Sequence, residues 1–199
     1  MLTVIGDVHG HYDQYERMAR KRDYTVQLGD LGFKYGCLKN LDADRHKVIG
    51  GNHDNYDIIH EFPNYLGDFG NCSLGGVDFF FLRGAYSIDR GLRTIGVDWW
   101  PQEELSYESF ESAKDLYKQT LPKIVITHCC PHSVIPYFLH SVDAAGKVYN
   151  TKTDWALQEL LEVHNPSLWV FGHYHVSKSI DIEGTKFICL NELETLDLL

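Results

Sequence analysis

Short apolar runs recur along the chain, and several of them open into glycine followed by a carboxylate or an imidazole. Leu2–Ile5 leads into Gly6-Asp7-Val8-His9-Gly10, a strand entering a loop. Residues 24–28 end at Gly29-Asp30, and residues 47–49 end at Gly50-Gly51-Asn52-His53-Asp54. Between the first two runs, Tyr12, Tyr15 and Met18-Ala19 recur at helical spacing among charged residues, which predicts an amphipathic helix over residues 12–22. Strand, helix, strand in that order implies a parallel pair joined by a crossover.

Residues 32–41 read as loop. Residues 71–74 and 77–82 flank Gly75-Gly76 as a hairpin that begins a second sheet, and residues 83–101 have no clear period but are rich in functional groups. Ser106 caps a helix reaching about residue 119, with Phe110, Ala113 and Tyr117 in periodic positions and Leu121-Pro122 as its stop. The strand at residues 124–127 ends at His128-Cys129-Cys130-Pro131-His132. A polar stretch over residues 141–153 follows, and a helix opens at Thr153 or Asp154 with Leu157, Leu160, Leu161 and His164 on one face. The strand at residues 168–171 ends at Gly172-His173-Tyr174-His175, and residues 179–182 and 186–190 form a hairpin about Glu183-Gly184.

A length of 199 residues suits one domain over 1–199, with no Pro/Ser-rich linker to divide it. The formal charge of −10 argues against extended binding to a phosphate backbone, which needs a Lys/Arg face. Two bound divalent cations would supply positive charge where the side chains show none. The five cysteines, Cys37, Cys72, Cys129, Cys130 and Cys189, form no Cys-x-x-Cys pair, which suggests a reduced, cytoplasmic protein. No signal peptide or membrane span is visible.

The polar strand endings change this picture most. Loops at the carboxyl ends of parallel strands converge on one crevice, so Asp7, His9, Asp30, Asn52, His53, Asp54, His128, His173 and His175 are expected to meet. Carboxylates, imidazoles and one amide suit Mn²⁺, Fe or Zn²⁺ better than Ca²⁺ or a cysteine-held structural Zn²⁺. There are too many donors for one ion. With Asp30 as a bridge, two ions about 3.5 to 4 Å apart share the set, an arrangement that clamps both oxygens of an in-line phosphoryl displacement.

Gly6-Asp7-Val8-His9, Gly29-Asp30, Gly51-Asn52-His53-Asp54, His128 and Gly172-His173-Tyr174-His175, in that order, resemble the calcineurin-like metallophosphoesterases over residues 2 to about 190. The resemblance implies an α/β fold, a two-sheet sandwich flanked by helices in α-β-β-α layers. It implies that Asp7, His9 and His175 bind a first metal, that Asn52, His128 and His173 bind a second, and that Asp30 bridges them. Mn²⁺ is the ion expected at both positions. A hydroxide shared by the ions would attack phosphorus, with His53 protonating the leaving oxygen and Asp54 orienting His53.

The sequence departs from the protein-phosphatase branch, whose second block reads Gly-Asp-x-Val-Asp-Arg-Gly and whose third ends in Glu. Here the second is Gly29-Asp30-Leu31-Gly32-Phe33-Lys34 and the third ends in Asp54. The phosphate-clamping Arg of that branch is missing from its place, so Arg83, Arg90 or Arg93 is the expected substitute, unless these pair with Asp89 and Asp98. Residues 84–90 with Trp99-Trp100-Pro101 resemble small stand-alone members from bacteria and their phages.

The expected function is hydrolysis of a phosphomonoester or phosphodiester in a small substrate, a nucleotide, cyclic nucleotide or nucleic-acid end. The alternatives are a Ser/Thr or Tyr protein phosphatase and a non-catalytic scaffold of the same fold, as a resemblance to a retromer subunit permits. His46, His60, His140 and His164 are expected on the surface or a helix face, with His11 and His132 balanced between that and the pocket rim. Cys129-Cys130 are expected to be buried small residues, and Trp99-Trp100 to pack a loop, with base stacking as the other reading. Lys147, Tyr149 and Lys152 belong to a solvated connection, with a lid as the alternative.

Overall fold

The computed structural model describes residues 1–139 and 150–198. In its first half lie β1 (Leu2–Ile5), α1 (Tyr12–Ala19), β2 (Tyr24–Gln27), β3 (His46–Val48), β4 (Phe69–Leu74) and β5 (Val77–Leu82). The second half contributes α2 (Tyr107–Thr120), β6 (Ile124–Thr127), α3 (Lys152–Val163), β7 (Leu168–Phe171), β8 (Lys178–Ile182), β9 (Thr185–Cys189) and β10 (Thr195–Leu198). Two sheets result, one of four strands in the order β10-β1-β2-β3 and one of six in the order β4-β5-β6-β7-β9-β8.

Strand alternation explains the layers. In β5, Phe79 and Phe81 join Leu2, Val4, Val26 and Leu28 of the first sheet in the core between the sheets. Phe80 and Leu82 point the other way, onto Phe110, Ala113 and Tyr117 of α2 and Leu157 and Leu160 of α3. Because side chains alternate with period two, one apolar strand serves both faces. On the outer face of the first sheet, Ile5 and Val48 pack against Tyr15 and Ala19 of α1. The α-β-β-α sandwich is thus built from strands buried on both sides.

Four of the strand pairings decide where the site forms. β1, β2 and β3 are parallel neighbours, and β5, β6 and β7 are parallel neighbours in the other sheet. The carboxyl ends of β1, β2, β3, β6 and β7 all open at one edge of the sandwich, so the two expected sheets feed one crevice.

Local signals account for most boundaries. Ser106 caps α2 by accepting from the Ser109 N–H at 3.1 Å, and Leu121 ends it in the left-handed region. Glu183-Gly184, both at positive φ, make the two-residue turn of the β8–β9 hairpin. The third helix starts earlier than expected, because Thr151 and Asp154 form a reciprocal capping box that places Lys152 inside its first turn and leaves His164 as the C-cap. The stretch 32–41 contains a 3-10 turn, Gly36–Asn40. His46 is buried in β3 rather than exposed, its Nδ1 lying 3.1 Å from the Thr25 hydroxyl. The strand β10 was not anticipated; it pairs antiparallel with β1, and only two apolar side chains, Leu196 and Leu198, carry its signal. His140, Lys147 and Tyr149 lie outside the described residues.

Candidate metal centre

Each strand ending delivers its polar residue through a sharp change of backbone direction. Among the described residues seven non-glycine positions have positive φ, and four of them are His9, Asp30, His173 and His175. That region is disfavoured for side chains carrying a Cβ, and such strain gathers where function requires it. Two glycines leave room for the carboxylates. A Cβ on Gly172 would collide with Asp7 Oδ1, and one on Gly51 with Asp30 Oδ1.

The donors form two overlapping groups. One ligand atom each from Asp7, His9, Asp30 and His175 falls within a common 4.8 Å, and so does one each from Asp30, His128 and His173. Asp30 belongs to both. His9 Nε2 and His175 Nε2 lie 2.9 Å apart, and His175 Nε2 is 3.2 Å from Asp7 Oδ2. In the second group, His128 Nε2 lies 3.3 Å from Asp30 Oδ1 and 3.1 Å from Asn52 Oδ1.

Hydrogen bonds to the backbone orient these groups. His128 Nδ1 is 2.8 Å from the Leu28 carbonyl, which can only accept, so Nδ1 carries the proton and Nε2 faces inward. The His173 N–H donates to Asp7 Oδ2 at 3.0 Å, and the His53 N–H donates to Asp30 Oδ1 at 2.7 Å. Imidazole nitrogens, carboxylates and an amide oxygen therefore converge in one place. That donor chemistry fits a pair of divalent transition-metal ions.

Electrostatics point the same way. Burial alone would raise the Asp30 pKa, but His128, His53 and His9 around it hold it well below the usual carboxylate range. Burial opposes charge on His128, yet Asp30 and Asp7 push its pKa up to about 9. His173 is pushed down to about 3 by burial and by His128. Burial also lowers His53, with Arg93 adding to it against the opposing pull of Asp30.

His53 lies beside His9, their ring centroids 5.1 Å apart. Its expected partner, Asp54, turns away from it. The Asp54 carboxylate accepts from the backbone N–H groups of Asp30 at 2.8 Å, Gly51 at 2.7 Å and Gly32 at 3.3 Å, and from the Tyr35 hydroxyl at 3.1 Å. Asp54 thus ties the second block to the third, because a buried carboxylate is best satisfied by the nearest orphan N–H donors. The His53 ring is faced instead by Arg93, whose Nη2 is 2.8 Å from Nε2.

The three arginines separate. Arg83 is buried, bonds Asp68 Oδ1 at 2.6 Å and the Gln102 carbonyl at 2.5 Å, and lies 4.2 Å over the Tyr56 ring. These contacts place Arg83 in the packing around Tyr56, and among the described residues it bonds to neither donor group. Arg90 is exposed on the Tyr86 ring, 4.4 Å from its centroid. Arg93 alone contacts a centre residue, held from behind by Asp89 at 2.8 Å.

Other expectations resolve plainly. Cys129 and Cys130 are buried, with burial raising both thiols, and no cysteine is in either donor group among the described residues. Trp100 packs on Phe33 and donates to Asp57 at 2.7 Å. His132 stacks on Trp155 at 4.3 Å, while His11 is exposed at the start of α1. Residues that carried no sequence signal for the site are Tyr35, Ser87 and Glu103, which only long-range hydrogen bonds connect to it, whereas the pairing of Arg93 with Asp89 is the one anticipated.

A calcineurin-like phosphoesterase family model matches residues 1–177. No curated protein matches the chain. Among solved structures, a 5'-nucleotidase candidate from Staphylococcus aureus in complex with alpha-ketoglutarate is 12% identical with a TM-score of 0.52; the alignment covers 96% of this chain but 48% of that one, so the chain spans about half of it. A hypothetical protein from Thermus thermophilus is 15% identical with a TM-score of 0.49, covering 96% of this chain and 75% of that one. Phosphopantetheinyl hydrolase from Mycobacterium tuberculosis is 14% identical with a TM-score of 0.48, covering 96% and 89%. At 12% identity the likeness to the Staphylococcus aureus structure speaks to fold alone.

Proposed function

The chain belongs to the calcineurin-like phosphoesterase family, a family of dinuclear metal-dependent hydrolases, and from that premise we propose that it hydrolyses a phosphoester in a small substrate such as a nucleotide or a nucleic-acid end. One observation carries the reading: two donor groups share Asp30, the nitrogen and oxygen atoms of each lying within 4.8 Å of one another. Asp7, His9 and His175 would hold one ion and Asn52, His128 and His173 the other, with Asp30 common to both. Mn²⁺ is the ion we favour for this nitrogen and oxygen set. Bound there, the pair polarises phosphoryl oxygens and lowers the pKa of a water to near neutrality.

The chain's own groups divide the remaining work. The His53 backbone N–H holds the shared carboxylate of Asp30, while its ring, beside His9, is offered to the leaving oxygen as proton donor. Arg93, steadied by Asp89, presents its guanidinium to phosphate oxygens at the same edge. A phosphate entering between Arg93 and His53 would accept from both, in place of the direct Arg93–His53 contact. The acidic chain, at −10, disfavours long nucleic acids and leaves small phosphorylated molecules as the fitting class.

The test is hydrolysis of chromogenic monoesters and diesters by metal-stripped protein resupplied with Mn²⁺, beside His53→Ala and Asp30→Ala. Metal-dependent turnover lost in both variants is expected, and the ester preference then narrows the substrate. Phosphopeptide turnover exceeding both chromogens would replace this reading with a protein phosphatase.

A further inference from the structure

The stretch between β5 and α2 holds a buried chain of hydrogen bonds that ends on Asn52. Glu103 is 2% exposed, Ser87 1% and Asn52 4%, so none of the three is satisfied by bulk water. The Ser87 N–H donates to Glu103 Oε1 at 3.1 Å, and the Ser87 hydroxyl donates to Oε2 at 2.5 Å. A hydroxyl has one proton. With that proton committed to the carboxylate, Ser87 Oγ meets Asn52 only as an acceptor, and Asn52 Nδ2 donates to it at 3.2 Å.

An amide whose nitrogen is fixed must present its oxygen on the other side. That oxygen is the one 3.1 Å from His128 Nε2. If the amide were turned over, its oxygen would face the lone pairs of Ser87 and its N–H₂ would face the metal position.

The carboxylate at the head of the chain is itself held by backbone. Arg83 bonds the Gln102 carbonyl at 2.5 Å, and the Gly84 N–H donates to the Gly50 carbonyl at 2.8 Å. Gly84 has φ +93°, and a Cβ there would collide with the Glu103 carbonyl oxygen. The base of this loop is therefore closed tightly against the Gly50-Gly51-Asn52 turn, and Glu103 arrives beside Ser87 as a consequence.

We propose that Ser87 and Glu103 are positioning residues that lock the Asn52 amide with its oxygen toward the second metal position. This rests on the ligand assignment proposed above. Neither residue touches substrate or metal; each acts through Asn52, and the first metal position, formed by Asp7, His9 and His175, does not depend on them.

Isothermal titration of metal-stripped protein with Mn²⁺, together with electron paramagnetic resonance of the spin-coupled pair, tests the inference in wild type, Ser87→Ala, Ser87→Thr and Glu103→Gln. Loss of an outer hydrogen bond to a ligand weakens metal binding by about 10- to 100-fold. Ser87→Ala is expected to bind one ion as wild type does and the second about 10- to 100-fold more weakly, losing the coupled signal at subsaturating Mn²⁺. Ser87→Thr, which keeps the hydroxyl, restores it, and Glu103→Gln, which keeps the volume and one acceptor oxygen, falls between. Two ions bound equally well by wild type, Ser87→Ala and Glu103→Gln would overturn the inference and leave the metal reading intact. Equal weakening of both ions would also overturn it, as a general packing effect. Fewer than two ions in wild type would overturn the ligand assignment and the inference with it.

Discussion

Arg93 Nη2 lies 2.8 Å from His53 Nε2, forty residues away in sequence, while the same guanidinium is gripped by Asp89 at 2.8 Å. Asp89 holds Nε and Nη2 of that guanidinium and Nη1 meets His53 and the Asp98 carbonyl, so an anion arriving at the metal edge would take the place of the His53 contact.

Replacing Arg93 by Ala removes charge-assisted hydrogen bonds worth about 1.5–3 kcal/mol, so kcat/KM on a chromogenic phosphoester is expected to fall about 10- to 100-fold with little change in melting temperature. Lys recovers part of this, since it lacks the planar fork. Arg83→Ala should behave oppositely: it uncovers Tyr56 and leaves the Gln102 carbonyl without its donor, costing about 1–3 kcal/mol of stability in denaturant unfolding. If the two variants exchange these phenotypes, the assignment of Arg93 to the site is wrong.

His128 makes metal binding a competition with a proton. With its pKa raised to about 9 by Asp30 and Asp7 despite burial, the metal-free imidazole is charged at pH 7 and must lose that proton to bind. Mn²⁺ affinity should therefore climb with pH and level off above about 9. The sign for the metal-free fold is the reverse: protonated His128 contributes stability that is whole below 6.5 and lost as pH rises through about 9. Titration calorimetry in two buffers of different ionisation heat counts the protons released, and a count of zero at pH 7 contradicts this.

Gly172→Ala and Gly51→Ala test the room left for the carboxylates. Neither glycine has positive φ, yet an added methyl group takes the space of Asp7 Oδ1 at Gly172, and at Gly51 that of Asp30 Oδ1 together with the Asp30 backbone nitrogen and the His128 ring. Both variants are expected to fold and to lose Mn²⁺ affinity by at least about tenfold, a displacement comparable to losing an oriented ligand. Unchanged affinity in both would mean that the carboxylates are free to move aside.

Asp54→Asn distinguishes two roles. An amide nitrogen in place of one carboxylate oxygen leaves at least one of the Asp30, Gly51 or Gly32 N–H groups unpaired, at about 1–3 kcal/mol each. The expected result is a lower unfolding midpoint; Tyr35→Phe, which deletes one donor to the same carboxylate, should cost about 1 kcal/mol. A variant of normal stability with only kcat reduced would restore the role of orienting His53.

Much of the fold was legible because its signals are local. The cap at Ser106, the Glu183-Gly184 turn and the two-sided apolar strands depend on neighbours a few residues apart. Leu196 and Leu198 were not read as a strand, since four residues with two apolar positions become a strand only when β1 offers them an edge. The donor set was legible for the same reason as the strands: Asp7, Asp30, Asn52, His128 and His173 each follow a strand end closely, where the chain must turn and where parallel strands bring their ends together.

The sequence by itself determined which side chains could reach the metal edge and what chemistry their oxygens and nitrogens suit. Tertiary structure alone decided how they are held. It set Asp54 on backbone N–H groups, buried Arg83 over Tyr56, brought Arg93 to His53, and ran Glu103 and Ser87 to Asn52. The physical reason is range. Strand ends are specified by alternation and turn residues nearby, whereas the course of residues 83–103 has no periodicity and follows from hydrogen bonds closed between segments far apart, which no local pattern encodes.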